Sequence, residues 1–332
     1  MKMLAMNSCK RILGVAAALA AAAIFTPPFA NASTLDTSLA QMFPREVGEV
    51  GYLDLKAARQ QPWFAVAEQN LLPLCFRKLE FFLSTAGLNI NTQVDSLAWG
   101  TLSATKTGGG IVGVAFGHFS PSTIDDYFRR HNLPTTESRG FRLLEIGGGE
   151  TSNDLFLVFL DPDTAIFGQR AALEQLLAVH FQGNESLAQN SALYPLIRDA
   201  REDSLAWAVW NKNYAHAALQ QLLPQAAQIP HVAALLGRIQ SMEFDVTNQG
   251  RLSAQAEIVC SSPAEAVTLA ALLQAGIVYR KHDSAQDDSH PSSVFDRIRV
   301  TANARNVEIE IPIGTDQLDS ALRSGNVLNL LQ

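Results

Sequence analysis

The stretch that decides the fold class is "NVEIEIPI", residues 306–313. Its apolar residues alternate with Glu308 and Glu310. Because successive side chains of a strand point to opposite faces, the alternation puts the glutamates on one side and the apolar residues on the other. Such a strand is typical of an antiparallel sheet with one face on the core and one in water.

Most of the predicted strands follow one another in sequence and are joined by short turns. This arrangement predicts an α+β fold in which helices pack on one face of an antiparallel sheet. Two stretches, "VAFGHFSPSTIDDYF" from Val114 and "AEIVCSSPAEAVTLAALL" from Ala256, each run from an apolar strand through Ser-Pro into a helical pattern. Serine at the N-cap followed by proline at the first helical position is a helix-start signal.

The two halves of the chain repeat the same order of elements. Each half reads as strand, long broken helical region, hairpin, Ser-Pro helix, strands and closing helix. The order predicts two diverged tandem copies of one module, at residues 33–185 and 186–332. The alternative is that any α+β chain shows such an alternation. The pentapeptide "DSLAW" occurs at 95–99 and again at 203–207. When the two halves are aligned by their order of elements, it falls on the second strand of one copy and on the first strand of the other, so this match does not fit the alignment.

Residues 1–32 have the order of a cleaved secretory signal peptide. Basic residues precede an apolar run from Ile12 to Phe25, and "FANA" offers small residues for cleavage after Ala32. The alternative, a membrane anchor, needs about 20 apolar residues, which is longer than this run. The sequence therefore predicts export to the periplasm or the extracellular space, with no membrane span in the mature chain.

Net charge disfavours two classes of partner. The full chain carries −7, and loss of the three basic residues in the signal peptide takes this to −10. Nucleic acids and anionic membrane surfaces both attract Lys and Arg clusters, so neither is an expected partner.

Two cysteines, Cys75 and Cys260, remain after the predicted cleavage. An oxidising compartment permits a disulfide between them. Both lie in apolar segments, so two separate buried thiols are the alternative.

Three residues form the weak candidate metal site: His282, Asp287 and His290. Imidazole and carboxylate suit several divalent metals, but the segment 280–293 reads as a polar loop, and a solvated loop is the competing interpretation. Trp210 is the weak candidate for ligand binding, because alternation puts it on the opposite side of its strand from Trp207. Asp54 and Asn211 each end a first strand and are interpreted as caps of the following helix.

Catalytic motifs are missing from the sequence. It has no Walker A motif, HExxH, GxSxG or CxxC pair. The two glycine runs, 108–110 and 147–149, each lie between predicted strands, whereas a Rossmann glycine pattern or a phosphate site needs a helix that begins directly after the glycines. This disfavours an enzyme without excluding one, and it predicts no cofactor.

The segment "MFPREVGEVGYLDLKAAR", residues 42–59, resembles the start of uncharacterised exported bacterial proteins. The resemblance implies an envelope protein of tandem α+β modules. These proteins bring no known catalytic residues, so none is assigned.

The leading hypothesis is an exported, non-enzymatic envelope protein that binds a small molecule or a protein partner through two repeated modules. The alternatives are a structural or interaction protein of the envelope, and a hydrolase with a site assembled from scattered residues.

Overall fold

The structure is a computed structural model that describes residues 38–61, 63–71, 74–103, 110–146, 154–199, 204–222, 230–248, 252–284 and 297–313. The strands within these residues are β1 (Val47–Asp54), β2 (Val94–Leu102), β3 (Gly110–Gly117), β4 (Thr135–Ser138), β5 (Phe141–Glu145), β6 (Leu155–Phe159), β7 (Thr164–Gln169), β8 (Ser204–Asn211), β9 (Ile239–Asn248), β10 (Leu252–Cys260), β11 (Arg299–Asn303) and β12 (Asn306–Ile313).

The labelled helices are α1 (Leu55–Arg59), α2 (Phe64–Leu71), α3 (Leu74–Thr85), α4 (Ile90–Gln93), α5 (Pro121–Arg130), α6 (Arg170–Gln182), α7 (Tyr194–Asp199), α8 (Lys212–Leu222), α9 (Pro230–Leu236) and α10 (Pro263–Ser284). A short 3-10 helix spans Leu187–Gln189, and residues 38–42 are also helical. Helices together with antiparallel strands confirm the α+β class. Among the described residues, no helix is both long enough and apolar enough to cross a membrane.

The chain divides into two compact units. The described residues of the first fall within Ala30–Arg59 and Leu72–Asp199, and those of the second within Gln60–Leu71 and Ala200–Gln332. The second unit therefore includes α2, which precedes most of the first unit in sequence.

Antiparallel pairing orders the strands of the first unit as β1-β2-β3-β7-β6-β5-β4. Along β2, buried residues alternate with half-buried ones, as expected for a strand covered by helices on one side. Helix α6 packs on β3, β6 and β7. It contributes a wholly buried row that includes Leu173, Leu176 and Leu177.

Strand order in the second unit is β8-β9-β10-β12-β11, again antiparallel. Helix α10 packs on β10, β11 and β12, and Leu269, Ile258 and Val307 are buried. Strand β8 differs from the others, because every residue from Ser204 to Trp210 is buried. It is therefore covered on both faces.

Helix starts follow the sequence signals. α5 begins at Pro121 after Ser120, and α10 begins at Pro263 after Ser262. Asp54 Oδ1 accepts a hydrogen bond of 2.7 Å from the Ala57 amide. Asn211 Oδ1 accepts bonds of 3.1 and 3.2 Å from the amides of the second and third residues after it. The prediction that these two side chains cap the following helices is confirmed.

Two local features differ from what the sequence pattern indicates. The helix that begins at Pro263, which the pattern indicates to about Val278, continues to Ser284. Within it, Gln274 Nε2 donates to the Val300 carbonyl at 2.9 Å. Thr135–Ser138, where the pattern indicates no strand, forms a tight hairpin with β5. Arg139 and Gly140 both adopt positive φ in its turn, as a two-residue hairpin loop requires. The predicted closing helix at 315–324 and most of both glycine runs lie outside the described residues.

Candidate functional site

The most distinctive surface of the second unit is built by alternation along three strands. On β12, β10 and β9, apolar residues point toward the helix-covered side and polar residues point away from it. The polar side carries four glutamates that we call the acidic surface: Glu243, Glu257, Glu308 and Glu310. Asp245 lies on the same side of the sheet but is buried, with an exposure of 7%.

Strand register sets three glutamates of this surface in one row. Glu257 on β10 lies directly opposite Glu243 on β9 and directly opposite Glu308 on β12. Directly opposite side chains in antiparallel strands lie about 5 Å apart at Cβ. Like charges in this position destabilise the sheet, so the row costs folding free energy.

In the next row along the strands, no two carboxylates lie directly opposite each other. Gln255 lies opposite Asp245 and Glu310, and Glu310 lies opposite Arg299 on β11. Arg299 Nη1 is 3.4 Å from Glu310 Oε2, with both side chains substantially exposed. An exposed pair of this length contributes little stability.

Hydrogen bonds hold two of the row's carboxylates in place. Asn306 Nδ2 donates to Glu257 Oε1 at 2.6 Å, and Asn303 Nδ2 donates to Glu308 Oε1 at 3.4 Å. Glu257 is half-buried, whereas Glu308 is exposed. The two asparagines therefore orient the carboxylates of Glu257 and Glu308 at the solvent-facing end of the row.

Burial, followed by the charge of Glu308, raises the pKa of the Glu257 carboxyl above its usual value. Both causes disfavour the ionised form. A cation placed over the row would act in the opposite direction and favour ionisation, so the arrangement is suited to binding positive charge.

The corresponding side of the first unit carries aromatic rings beside a polar pair, in which Thr101 Oγ1 donates to Glu49 Oε2 at 3.1 Å. Trp99 lies opposite Gly51 and Gly113, and Gly113 lies opposite Phe167, which places both aromatic side chains on the face away from α6. Both are half-buried. Each ring lies over a glycine, because a Cβ added at Gly51 would fall 2.3 Å from the Trp99 ring and one at Gly113 would fall 2.2 Å from the Phe167 ring.

An open groove of about 710 Å³ also lies on the first unit. Its lining includes Glu46, Arg139, Glu174 and Glu185. Two of its carboxylates are already paired, Glu185 with Arg45 and Glu174 with Arg170. The groove therefore offers little uncompensated charge to a ligand.

Trp210 does not lie on an exposed face, contrary to the sequence prediction. Its exposure is 5%, and that of Trp207 on the opposite side is 3%. The alternation argument failed because β8 is buried on both faces, so the side away from one core is not the solvent side. The role of Trp210 in ligand binding stays untested.

The candidate metal residues fall almost wholly outside the described part of the chain. Asp287 and His290 are not described, and only the backbone of His282 is, within the last turn of α10. The predicted site therefore has no described geometry. Among the described residues, no group of His, Cys, Asp and Glu has an arrangement that would hold a metal ion.

Cys260 is a free, buried thiol in the structure, and its pairing with Cys75 stays a prediction. Burial, followed by the charge of Glu265, raises the pKa of this thiol. Cys75 lies in α3, where only the backbone is described.

The Asp161-Pro162-Asp163 sequence forms a turn, in which the Asp163 amide donates to Asp161 Oδ1 at 2.7 Å. The His118 ring lies 3.0 Å from Asp163 across this turn, and both side chains are exposed. The pair links the end of β3 to the turn.

Sequence reasoning identified Glu308 and Glu310 as solvent-facing but missed the acidic surface. The signal was present in "SMEFDV" and "SAQAEI", which share the same alternation. Alternation alone gives the face and not the register, so it could not place Glu257 between two other glutamates.

Comparisons with known proteins add little. No protein-family model and no curated protein matches the chain. Two solved structures, titled crystal form IV and crystal form I of TP0453, resemble it with TM-scores of 0.45 and 0.46. Each is 9% identical and covers 86% of this chain, with 96% and 97% of the other chain covered. These likenesses are too weak to carry an argument.

Proposed function

We propose that this chain is an exported, non-enzymatic protein of the bacterial envelope that binds a basic partner protein through the acidic surface of its second unit. The observation that carries the proposal is the row of Glu243, Glu257 and Glu308. A sheet needs no such row for its own stability, because like charges directly opposite one another are unfavourable.

Binding a basic segment would offset the repulsion between the glutamates of the row. Lys or Arg side chains over the row would interact with carboxylates that are already oriented by strand pairing and by hydrogen bonds from Asn303 and Asn306. Groups that are held in place lose less conformational entropy on binding. Charge complementarity of this kind mainly sets partner choice and association rate, so the binding should weaken strongly with salt.

Duplication of the module is part of the proposal, and strand order supports it. The first five strands of the order in the first unit are β1-β2-β3-β7-β6, and those in the second unit are β8-β9-β10-β12-β11. In both units the first strand pairs with a hairpin, the hairpin pairs with the last strand in sequence of the five, and the strand just before that one in sequence comes next. The first unit then adds the β4–β5 hairpin.

Equivalent local contacts support the same alignment. The capping residues Asp54 and Asn211 end β1 and β8. Just before each Ser-Pro helix, a backbone amide donates to the turn between the last two strands. Gly117 donates to the Asp163 carbonyl at 3.0 Å, and Cys260 donates to the Arg305 carbonyl at 2.8 Å.

Export rests on the signal-like order of residues 1–32 and on the resemblance of residues 42–59 to exported bacterial proteins. The two predicted modules, 33–185 and 186–332, differ on the sides away from their helices, where the first carries Trp99 and Phe167 and the second carries the acidic surface.

Isothermal titration with a ten-residue peptide of alternating lysine and threonine tests the binding. The test variant carries Glu257→Gln, Glu308→Gln and Glu310→Gln. The matched control makes the same change in net charge on the first unit with Asp126→Asn, Glu137→Gln and Glu174→Gln.

We expect the wild type and the control to bind the peptide at low salt, and the test variant to bind at least tenfold more weakly. Equal weakening in the two variants would show that only net charge matters and would overturn the proposal. Equal affinity in all three proteins would do so as well.

A further inference from the structure

We draw no further inference here: the strongest candidate, the half-buried aromatic patch around Trp99 and Phe167 on the first unit's strands, carries nothing because nothing in the structure shows what covers it.

Discussion

Replacing Glu257 with glutamine should stabilise the protein at neutral pH. The change removes the cost of burying a carboxylate and the repulsion from Glu308, which are the two causes that raise the pKa of Glu257. A directly opposite charged pair is worth about 0.2–1 kcal/mol, so we expect the free energy of unfolding to rise by up to about 1 kcal/mol. Glutamine keeps an oxygen to accept the Asn306 Nδ2 bond of 2.6 Å, so the substitution leaves that contact in place.

The gain should depend on pH in a defined direction. Because the pKa of Glu257 is raised in the folded state, its protonated carboxyl adds to the free energy of unfolding of the wild type at pH values below the unfolded-state pKa. This contribution is lost as the pH rises through the folded-state pKa. The variant should therefore exceed the wild type in stability at pH 7, and the difference should shrink toward zero as the pH falls below about 4, near the ordinary glutamate pKa.

Urea unfolding at pH 7 and at pH 3.5, in low salt and in roughly 1 M salt, measures this difference. Glu310→Gln is the matched control, since Glu310 faces Arg299 and Gln255 and has no carboxylate directly opposite. We expect the control to change stability by less than about 0.5 kcal/mol. A Glu257→Gln variant that is no more stable than the wild type at pH 7 would refute the reasoning.

Three further predictions follow from the fold and the sequence. Asn211→Ala removes the acceptor of two helix-start amides and should lower the free energy of unfolding by about 1 kcal/mol. The control Asn213→Ala, at the second residue of the helix, should have a smaller effect in the same urea experiment. Gly51→Ala should cost roughly 1–3 kcal/mol, because its Cβ would meet the Trp99 ring at 2.3 Å; an unchanged melting temperature would contradict this. Intact mass of the protein from the exported fraction should correspond to a chain that begins at Ser33, and a mass that includes residues 1–32 would count against cleavage.

The sequence was most informative where short-range chemistry decides the structure. Alternation at 306–313 predicted the polar and apolar sides of a sheet, Ser-Pro predicted two helix starts, and Asp54 and Asn211 were identified as caps. In each case the determining contacts lie within a few residues along the chain.

Long-range packing decided what the sequence did not predict. Whether Trp210 meets water depends on what covers the second face of β8, and that is a tertiary property. The register that places Glu257 between Glu243 and Glu308 depends on pairings between distant strands. Assignment of α2 to the second unit likewise reflects packing that no local pattern encodes.

The measurement that tests the central claim most directly is zero-length carbodiimide cross-linking of the lysine–threonine peptide to the full chain, read by mass spectrometry. The account predicts cross-links to Glu243, Glu257, Glu308 and Glu310, which disappear as salt is raised. Cross-links concentrated instead on Glu46, Glu174 and Glu185, the carboxylates of the first unit's groove, would contradict it.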